Sequence, residues 1–346
     1  MARGQARVLN AAIAPALAAL LALLAIALAR PSGASASFGG TNGRIAFTAS
    51  HQFSEPCPPG SAEPQGMALE EGIFTMDPDG TDAIQLTDQH TGPTCNFVFP
   101  PPTVSDIDPT FSPIGGQIAF THSVDTTRGS SSQIYLMGAD GSDPHPLSGG
   151  RHDSQPAFVP AGNAIAFLRE PKCGDRQIQA MRADGTHRRL LIDDPGENPA
   201  FFPSGKRIAF DVPTSSCIAR TWDVFTIGTD GTHRRRLTRT GHSLAPDVSP
   251  SGNKIVFTGA DGTYLDNVYV MQADGAHPRR VARLGKDPVF SPSGGKIAFT
   301  NRKRGGIMVM SADGEDKQPV VPDPLPFGVA DPAELEFGQP SWGPQP

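Results

Sequence analysis

The stretch SPSGGKIAFT at residues 291–300 decides the fold, because close variants of it return along the chain. Towards the amino terminus these variants read SPSGNKIVFT at 249–258, FPSGKRIAF at 202–210, VPAGNAIAF at 159–167, SPIGGQIAFT at 112–121 and NGRIAFT at 42–48. The central Ala or Val residues of the six copies are 73, 47, 43, 47 and 42 residues apart. A recurrence on this scale is typical of a repeat architecture.

An Asp-Gly pair follows every copy of this phrase and marks a second turn. The pairs are Asp79-Gly80, Asp140-Gly141, Asp184-Gly185, Asp230-Gly231, Asp274-Gly275 and Asp313-Gly314. Each lies between two short strand-like runs, such as IYLM at 134–137 before a pair and RRLL at 188–191 after one. Two such runs joined by Asp-Gly predict a β-hairpin, for which the favoured two-residue turn has positive φ at both central residues.

The Ser-Pro-x-Gly part of the phrase predicts another hairpin, because Pro presets φ at the second turn position and Gly tolerates the exit. Each repeat therefore contains four strands. Within KIAFT, Ile297 and Phe299 lie on one face and Ala298 on the other, so that neighbouring sheets can pack large residues against small ones. The 35 Pro and 38 Gly residues interrupt the chain too often for helical repeats.

These patterns predict an all-β fold, a six-bladed β-propeller of four-stranded antiparallel blades. The end of the chain supports a closed ring. Residues 339–344, QPSWGP, match the opening of a repeat with nothing after it, and residues 42–48 match a repeat without its first strand. We therefore expect the first blade to be closed by the C-terminal strand, which removes an exposed sheet edge.

The combination of Pro-x-Phe/Trp-Ser-Pro-x-Gly, Ile-Ala-Phe and Asp-Gly-Thr resembles the TolB-type, WD-repeat-like β-propeller family. The resemblance covers residues 38–346, and the motif is specific because six copies agree. It implies a propeller that acts as a binding or scaffold module in the cell envelope, without catalysis of its own.

The first 36 residues differ from the rest of the chain. Two Arg residues precede an Ala/Leu-rich run at 11–29, and the small residues ASA follow at 34–36. This pattern predicts a signal peptide at 1–36, cleaved near Ala36, and a propeller at 37–346 that is secreted or held in the cell envelope. A retained N-terminal membrane anchor is the alternative, and we expect no membrane span in the mature chain.

Charge and motifs exclude several classes of function. Without residues 1–36 the chain has 26 basic and 35 acidic residues, a net charge of −9, which makes nucleic acid a poor partner. Gly-x-Ser-x-Gly, His-Glu-x-x-His and phosphate-binding glycine loops are absent from the sequence. We expect a monomer without cofactor, metal or catalysis. The alternative is a propeller-type hydrolase or lyase acting on an extracytoplasmic polymer, which an acid pair within about 10 Å with one raised pKa would favour.

The four Cys residues fit an oxidising compartment. Cys173 and Cys217 occupy equivalent loops of neighbouring repeats, Cys57 lies in the corresponding loop of the first repeat, and Cys95 lies in the connection to the second. Because these loops emerge on one face of a propeller, we predict disulfides between Cys57 and Cys95 and between Cys173 and Cys217. Metal ligation by the thiolates is the alternative.

Two further groups of polar residues follow the Asp-Gly turns. His187, His233 and His277 occupy equivalent turns of successive blades, too far apart to share a metal whose bonds to nitrogen are about 2 Å long. Arg runs at 188–189, 234–236 and 279–280 begin the outermost strands, where charge protects sheet edges. A basic strip that binds an anionic polymer is the alternative role for these arginines.

The residue before the Pro of each first strand is the main candidate for binding. It is polar in five of six repeats, namely Asp108, Gln155, Asn198, Asp287 and Gln339, with Ala245 in the sixth. Because the innermost strands line the channel of a propeller, these residues should ring its mouth, with Asp106 and Asp153 in the approach. We predict that this mouth binds a basic or extended peptide segment of an envelope protein. The alternative is that the side chains bond to backbone amides at the strand starts.

Overall fold

Each Ile-Ala-Phe phrase forms the second strand of an antiparallel sheet, as its alternation of large and small apolar residues predicts. The computed structural model describes residues 40–345 except 60, 62–63, 96–100, 173–174, 194, 214–220, 263–265 and 302–305. The predicted signal peptide at 1–36 lies outside the described residues. Six sheets are arranged as the blades of a propeller, and they are numbered here in chain order.

Blade 1 contains the first four strands of the chain and two strands from its carboxyl-terminal end. The first four are β1 (Asn42–Pro56), β2 (Gln65–Met76), β3 (Ile84–Gln85) and β4 (Gln89–Thr91).

Blades 2 to 6 each consist of four strands in sequence order, from the channel outwards. Blade 2 has β5 (Thr103–Phe111), β6 (Gln117–Thr126), β7 (Gly129–Gly138) and β8 (His145–Pro146). Blade 3 has β9 (Asp153–Phe158), β10 (Ala164–Arg169), β11 (Gln177–Arg182) and β12 (Arg189–Ile192). Blade 4 has β13 (Glu197–Phe201), β14 (Arg207–Pro213), β15 (Trp222–Gly228) and β16 (Arg235–Arg236). Blade 5 has β17 (Ser243–Val248), β18 (Lys254–Gly259), β19 (Asn267–Gln272) and β20 (Arg279–Arg283). Blade 6 has β21 (Gly285–Phe290), β22 (Lys296–Asn301), β23 (Gly306–Ser311) and β24 (Gln318–Val320).

The carboxyl-terminal segment closes the ring, as predicted. After two 3₁₀ turns at Pro326–Gly328 and Pro332–Glu334 come β25 (Leu335–Phe337) and β26 (Ser341–Pro344), both of which pair antiparallel with β1. Trp342 of β26 is buried, and its indole Nε1 donates a hydrogen bond to the carbonyl of Gly43 at 3.0 Å. β26 thereby supplies the innermost strand that blade 1 lacks at the start of the chain.

Neighbouring blades pack large residues against small ones. Ala166 of blade 3 lies in one cluster with Ile208 and Phe210 of blade 4, and Ala298 of blade 6 lies in one cluster with Ile45 and Phe47 of blade 1. All six residues are fully buried. The core therefore lies between the blades, which is why both faces of each second strand are apolar.

Both sets of hairpin turns lie on one face of the ring, called the turn face, and both use the same geometry. Gly294 adopts a left-handed conformation with φ of +72°, and its N–H donates a hydrogen bond to the carbonyl of Ser291 at 2.7 Å. Gly141 does the same at φ +84° with Gly138. The prediction of a two-residue Asp-Gly turn with positive φ at both residues is wrong. Asp140 has negative φ, and the loop is a three-residue type I turn that ends on a left-handed Gly.

The Asp side chain explains this choice of turn. Asp140 Oδ1 accepts hydrogen bonds from the backbone N–H of Ser142 at 3.0 Å and from its hydroxyl at 2.6 Å, and Asp184 binds Thr186 in the same way. This bonding lowers the pKa of both carboxyl groups. The turns are therefore fixed by local side-chain to backbone bonds.

The opposite face, called the mouth face, carries a long extension of blade 1. β1 and β2 extend beyond the strands of the other blades and are flanked by β25 and β4. Cys57, directly after β1, forms a disulfide with Cys95, with 5.7 Å between their Cα atoms. This predicted disulfide is confirmed. Cys173 and Cys217, the other predicted pair, lie outside the described residues. Among the described residues there is no helix long and apolar enough to span a membrane.

Candidate functional site

A β-bulge sets the position of the polar ring at the inner strands. The register of the first strand shifts at this point in blades 2 to 6. The residue at the bulge has left-handed φ in all five, namely Asp108 (55°), Gln155 (53°), Asn198 (49°), Ala245 (48°) and Asp287 (51°). Pro follows each one and has no N–H to leave unpaired. The bulge turns the five side chains out of the sheet's alternation and toward the channel.

One cavity of the channel, called the waist, is lined by all six X-Pro pairs. Gln339-Pro340 completes the set in blade 1. The waist cavity has a volume of about 180 Å³. The structure therefore brings Asp108, Gln155, Asn198, Asp287 and Gln339 together around one axis, as the sequence predicts.

Hydrogen bonds link the bulges of successive blades. In blades 2, 4 and 5 the residue after the Ile-Ala-Phe or Ile-Val-Phe phrase accepts the bulge N–H of the next blade. Thr121 Oγ1 accepts from Gln155 at 3.0 Å, and Thr258 Oγ1 accepts from Asp287 at 3.0 Å. Asp211 Oδ1 accepts from Ala245 at 3.3 Å. These bonds fix the spacing of the ring.

Blade 3 has Leu168 at this position, whose side chain cannot accept a hydrogen bond, and another residue supplies the acceptor. The side chain of Gln155 reaches along the ring, and its Oε1 accepts the N–H of Asn198 at 2.9 Å. The Asn198 amide in turn donates to Asp211 Oδ1 at 3.0 Å, and the Thr121 hydroxyl donates to Asp108 Oδ2 at 3.0 Å. Part of the polar ring therefore bonds to the backbone and to its neighbours, which was the alternative to ligand binding.

A larger cavity of about 490 Å³ opens above the waist on the mouth face, and we call it the mouth cavity. Besides the bulge residues Asp108, Asp287 and Gln339 it is lined by Glu71, Asp266 and Glu336, with Lys286 as the one cation among its described lining residues. Lys286 Nζ lies 3.5 Å from Asp287 Oδ2. Glu71 and Glu336 belong to the blade 1 extension, whereas Asp266 precedes the third strand of blade 5.

Burial perturbs several acids of the mouth cavity. Loss of hydration raises the pKa of Glu71 to about 7, with a further contribution from Asp106. Burial also raises the pKa of Asp108 to about 6, helped by the negative charge of Asp287, whose own pKa burial raises as well. Glu71 Oε1 and the hydroxyl of Thr48, which also lines the cavity, are buried without a hydrogen-bond partner among the described residues. The cavity therefore presents unsatisfied acceptors to whatever fills it.

Asp247 places a carboxyl group in the waist, two residues beyond the bulge residue Ala245 of blade 5. Its Oδ2 accepts the N–H of Phe290 in blade 6 at 2.8 Å, and burial raises its pKa to about 7. The sequence analysis missed this residue. Alignment of the repeats could have found it, because the equivalent residues are uncharged, namely Thr110, Ala157, Ala200, Val289 and Ser341.

Asp106 and Asp153 lie away from both cavities. Asp106 is buried in blade 2, where its carboxylate contacts His122 Nδ1 at 2.7 Å and Gln89 Nε2 at 2.8 Å. Asp153 is fully buried in blade 3 and binds the guanidinium groups of Arg169 at 3.1 Å and Arg188 at 2.8 Å. Asp106 and Asp153, which were predicted to lie in the approach to the mouth, therefore form internal polar contacts within their blades.

The arginine runs do not form one continuous strip. Arg188 turns inward to Asp153, and Arg236 turns inward to Asp223, which is fully buried. Arg280 pairs with Asp261. His187, His233 and His277 occupy left-handed turn positions, and no group of three His, Cys, Asp or Glu residues in the described part of the chain is placed to hold a metal.

Glu71, Asp266 and Glu336 were also missed by sequence reasoning. Glu71 of β2 and Glu336 of β25 both lie opposite Ser50 of β1. Glu71, Ser50 and Glu336 therefore form one row across the blade 1 sheet. This row depends on the register of β25, a short strand outside the repeat pattern. No repeat-based signal could place it.

No protein-family model matches the chain. Among solved structures, the chain is similar to TolB from Acinetobacter baumannii, with a TM-score of 0.62 and 18% identity over 89% of this chain and 68% of that one. It is also similar to a protein from Agrobacterium tumefaciens assigned as TolB, with a TM-score of 0.54 and 15% identity over 87% and 99% of the two chains.

A chain of a nidogen/laminin complex matches with a TM-score of 0.59 and 14% identity, over 87% of this chain and 98% of that one. At these identities the likeness concerns the fold. Together with the six blades and their X-Pro ring, these comparisons show that the chain has the fold of a six-bladed β-propeller similar to that of TolB.

Proposed function

We propose that the protein is a non-catalytic binding or scaffold propeller of the cell envelope that captures a basic, extended peptide segment of another envelope protein in the mouth cavity. The observation that carries the proposal is the concentration of carboxyl groups from Glu71, Asp108, Asp266, Asp287 and Glu336 around one open cavity. Lysine or arginine side chains would neutralise these groups and supply the hydrogen-bond donors that Glu71 and Thr48 lack.

Four further features support this proposal. A concave rim of one charge sign raises the local concentration of oppositely charged partners. The blade 1 extension projects from the same face, and loops on a rigid scaffold are common sites of recognition. The Cys57–Cys95 disulfide fits an oxidising location, as the proposed signal peptide at 1–36 requires. A chain in the nidogen/laminin complex shares the fold, so the architecture occurs in an assembly of proteins.

The direct test is capture of partners from envelope extract by wild type and by the Asp108→Asn/Asp287→Asn variant. We expect the variant to retain less partner, most clearly at low salt, because two carboxylates of the mouth are neutralised. Asp143→Asn/Asp274→Asn is the matched control, since it removes the same charge from the turn face. Equal capture by the mouth variant and the control would contradict the proposal.

A second candidate, a hydrolase or lyase acting on an extracytoplasmic polymer, is favoured by one observation. Asp108 and Asp287 interact electrostatically, and the pKa of Asp108 is raised to about 6, as expected of a general acid beside a second carboxylate. Release of reducing ends or of unsaturated products from envelope polysaccharide, lost in Asp108→Asn, would support this enzyme. Wild-type protein that releases neither would exclude it for those substrates.

A further inference from the structure

The contact between blades 3 and 4 contains a groove whose origin is visible in the repeat pattern. It has a volume of about 250 Å³, and Ala164 and Ala180 of blade 3 lie in its wall. The residue equivalent to Ala164 is long and polar in every other blade, namely Arg44, Gln117, Arg207, Lys254 and Lys296. The residue equivalent to Ala180 is larger in every other blade, namely Thr75, Leu136, Thr226, Val270 and Val309. Blade 3 has Ala at both positions.

The long side chains cover this region of the blade contact elsewhere. The guanidinium carbon of Arg207 lies 3.6 Å from the centre of the Phe202 ring, and Arg44 spans β2 to reach Thr75 and Asp77. In blade 3 no such side chain is present, so Val159, Ala164 and Leu191 form the apolar part of an open groove. Val159 and Ala164 are partly exposed there.

Two arginines whose side chains have no partner in the described part of the chain flank the groove. Arg182 lies opposite Ala164 across the β10–β11 pair, and Arg189 lies opposite Ala180 across the β11–β12 pair. The two are therefore diagonal neighbours on one face of the sheet, with about 7–8 Å between their backbones. Both side chains line the groove, are exposed, and make no ion pair or hydrogen bond with any other described residue.

The charge of the groove is positive. His187 joins the two arginines in the lining, and no carboxylate is among the described lining residues. The nearest acid in the turn, Asp184, is close enough for Arg182 and His187 to lower its pKa, but its carboxylate is bonded to Thr186. Two guanidinium groups beside an apolar floor match a small anion with an apolar body, since Arg binds planar carboxylates and phosphates in pairs of hydrogen bonds.

We propose that the groove between blades 3 and 4 binds a small amphipathic anion, with its acidic head on Arg182 and Arg189 and a short alkyl or aryl body on Val159, Ala164 and Leu191. The volume lies just below the 300–1,000 Å³ or so of typical ligand pockets, which restricts the body to a short chain or one ring. The site is separate from the mouth cavity in both position and charge sign. It does not depend on the proposed peptide capture.

The test is a titration of full-length protein carrying ¹³C-methyl alanine with sodium octanoate, followed by NMR. The Ala164 methyl signal, assigned by Ala164→Ser, should shift saturably with a Kd below about 1 mM. Octylammonium chloride should leave it unchanged. Octyl phosphate provides the second arm, and competition by it at the same methyl would show that the site also accepts a phosphate head.

Two variants separate the head site from the apolar site. Arg182→Gln/Arg189→Gln should weaken octanoate binding by about tenfold or more. Ala180→Leu, which introduces the residue that blade 2 has at this position, should block binding while both arginines remain. Arg279→Gln, equivalent to Arg189 on blade 5, should bind like wild type. A methyl that does not respond, an equal response to octylammonium, or octanoate binding that survives both groove variants would overturn the proposal.

Discussion

Asp247 illustrates how one residue in the channel couples stability to pH. Its pKa is about 7 in the folded protein, because burial disfavours the charged form, against about 4 in an unfolded chain. The folded state therefore holds a proton that the unfolded state releases between about pH 4 and pH 7. The resulting stabilisation is fully present below about pH 4 and is lost as the pH rises through 7.

We predict that Asp247→Asn raises the free energy of unfolding at pH 8 by about 1–3 kcal/mol and leaves it nearly unchanged at pH 4. Asn removes the ionisable group but keeps an oxygen to accept the Phe290 N–H. Denaturant unfolding at both pH values measures the difference. An equal effect of the substitution at pH 4 and pH 8 would show that ionisation of Asp247 is not the cause.

Gln155 and Leu168 form a second residue-scale test, because the side chain of Gln155 replaces the acceptor that Leu168 cannot supply. Gln155→Ala should cost about 1–3 kcal/mol by leaving the Asn198 N–H without an acceptor. Leu168→Thr should be less harmful in that background than in wild type, since Thr121 and Thr258 accept the equivalent N–H. A double-mutant cycle measures this coupling. Strict additivity of the two substitutions would contradict the assigned bond.

The elements divide into those that the repeat pattern predicts and those that it does not. The strands that contain Ile-Ala-Phe, and the closing strand with Trp342, were predictable because six copies agree on large and small positions. The bulges at Gln155 and Asn198 were not, since the backbone N–H at each bulge bonds to an acceptor on the neighbouring blade. The row of Glu71 and Glu336 was also missed, because it depends on short strands outside the repeats.

The predicted Cys173–Cys217 disulfide belongs to the element scale, since it would join equivalent loops of blades 3 and 4. The Cys57–Cys95 disulfide at the corresponding part of blade 1 supports this assignment. We expect a peptide that contains both residues in non-reducing mass mapping, and a stability loss of about 4 kcal/mol in Cys173→Ser/Cys217→Ser. Free thiols at both positions in secreted protein would contradict the prediction.

At the scale of the whole molecule, closure by the C-terminal strand makes the ring one cooperative unit. Phe337 packs on Phe47 with 5.8 Å between ring centres, and Trp342 is bonded to Gly43 across the closure. Removal of residues 337–346 should therefore abolish folding, because blade 1 loses its innermost strand and two buried aromatic side chains. Circular dichroism melting and gel filtration test this. A soluble truncated protein with a cooperative transition would contradict closure.

The central claim is that an envelope partner binds at the mouth face, and site-specific photo-crosslinking tests it most directly. A benzophenone amino acid would replace Leu244, which lines the mouth cavity, or Ile114, which is 76% exposed on the turn face. We expect the Leu244 probe to crosslink an envelope protein, with a reduced yield in the Asp108→Asn/Asp287→Asn background, and the Ile114 probe to crosslink none. Crosslinks from Ile114 alone, or from Leu244 at a yield that the two Asp substitutions leave unchanged, would contradict the claim.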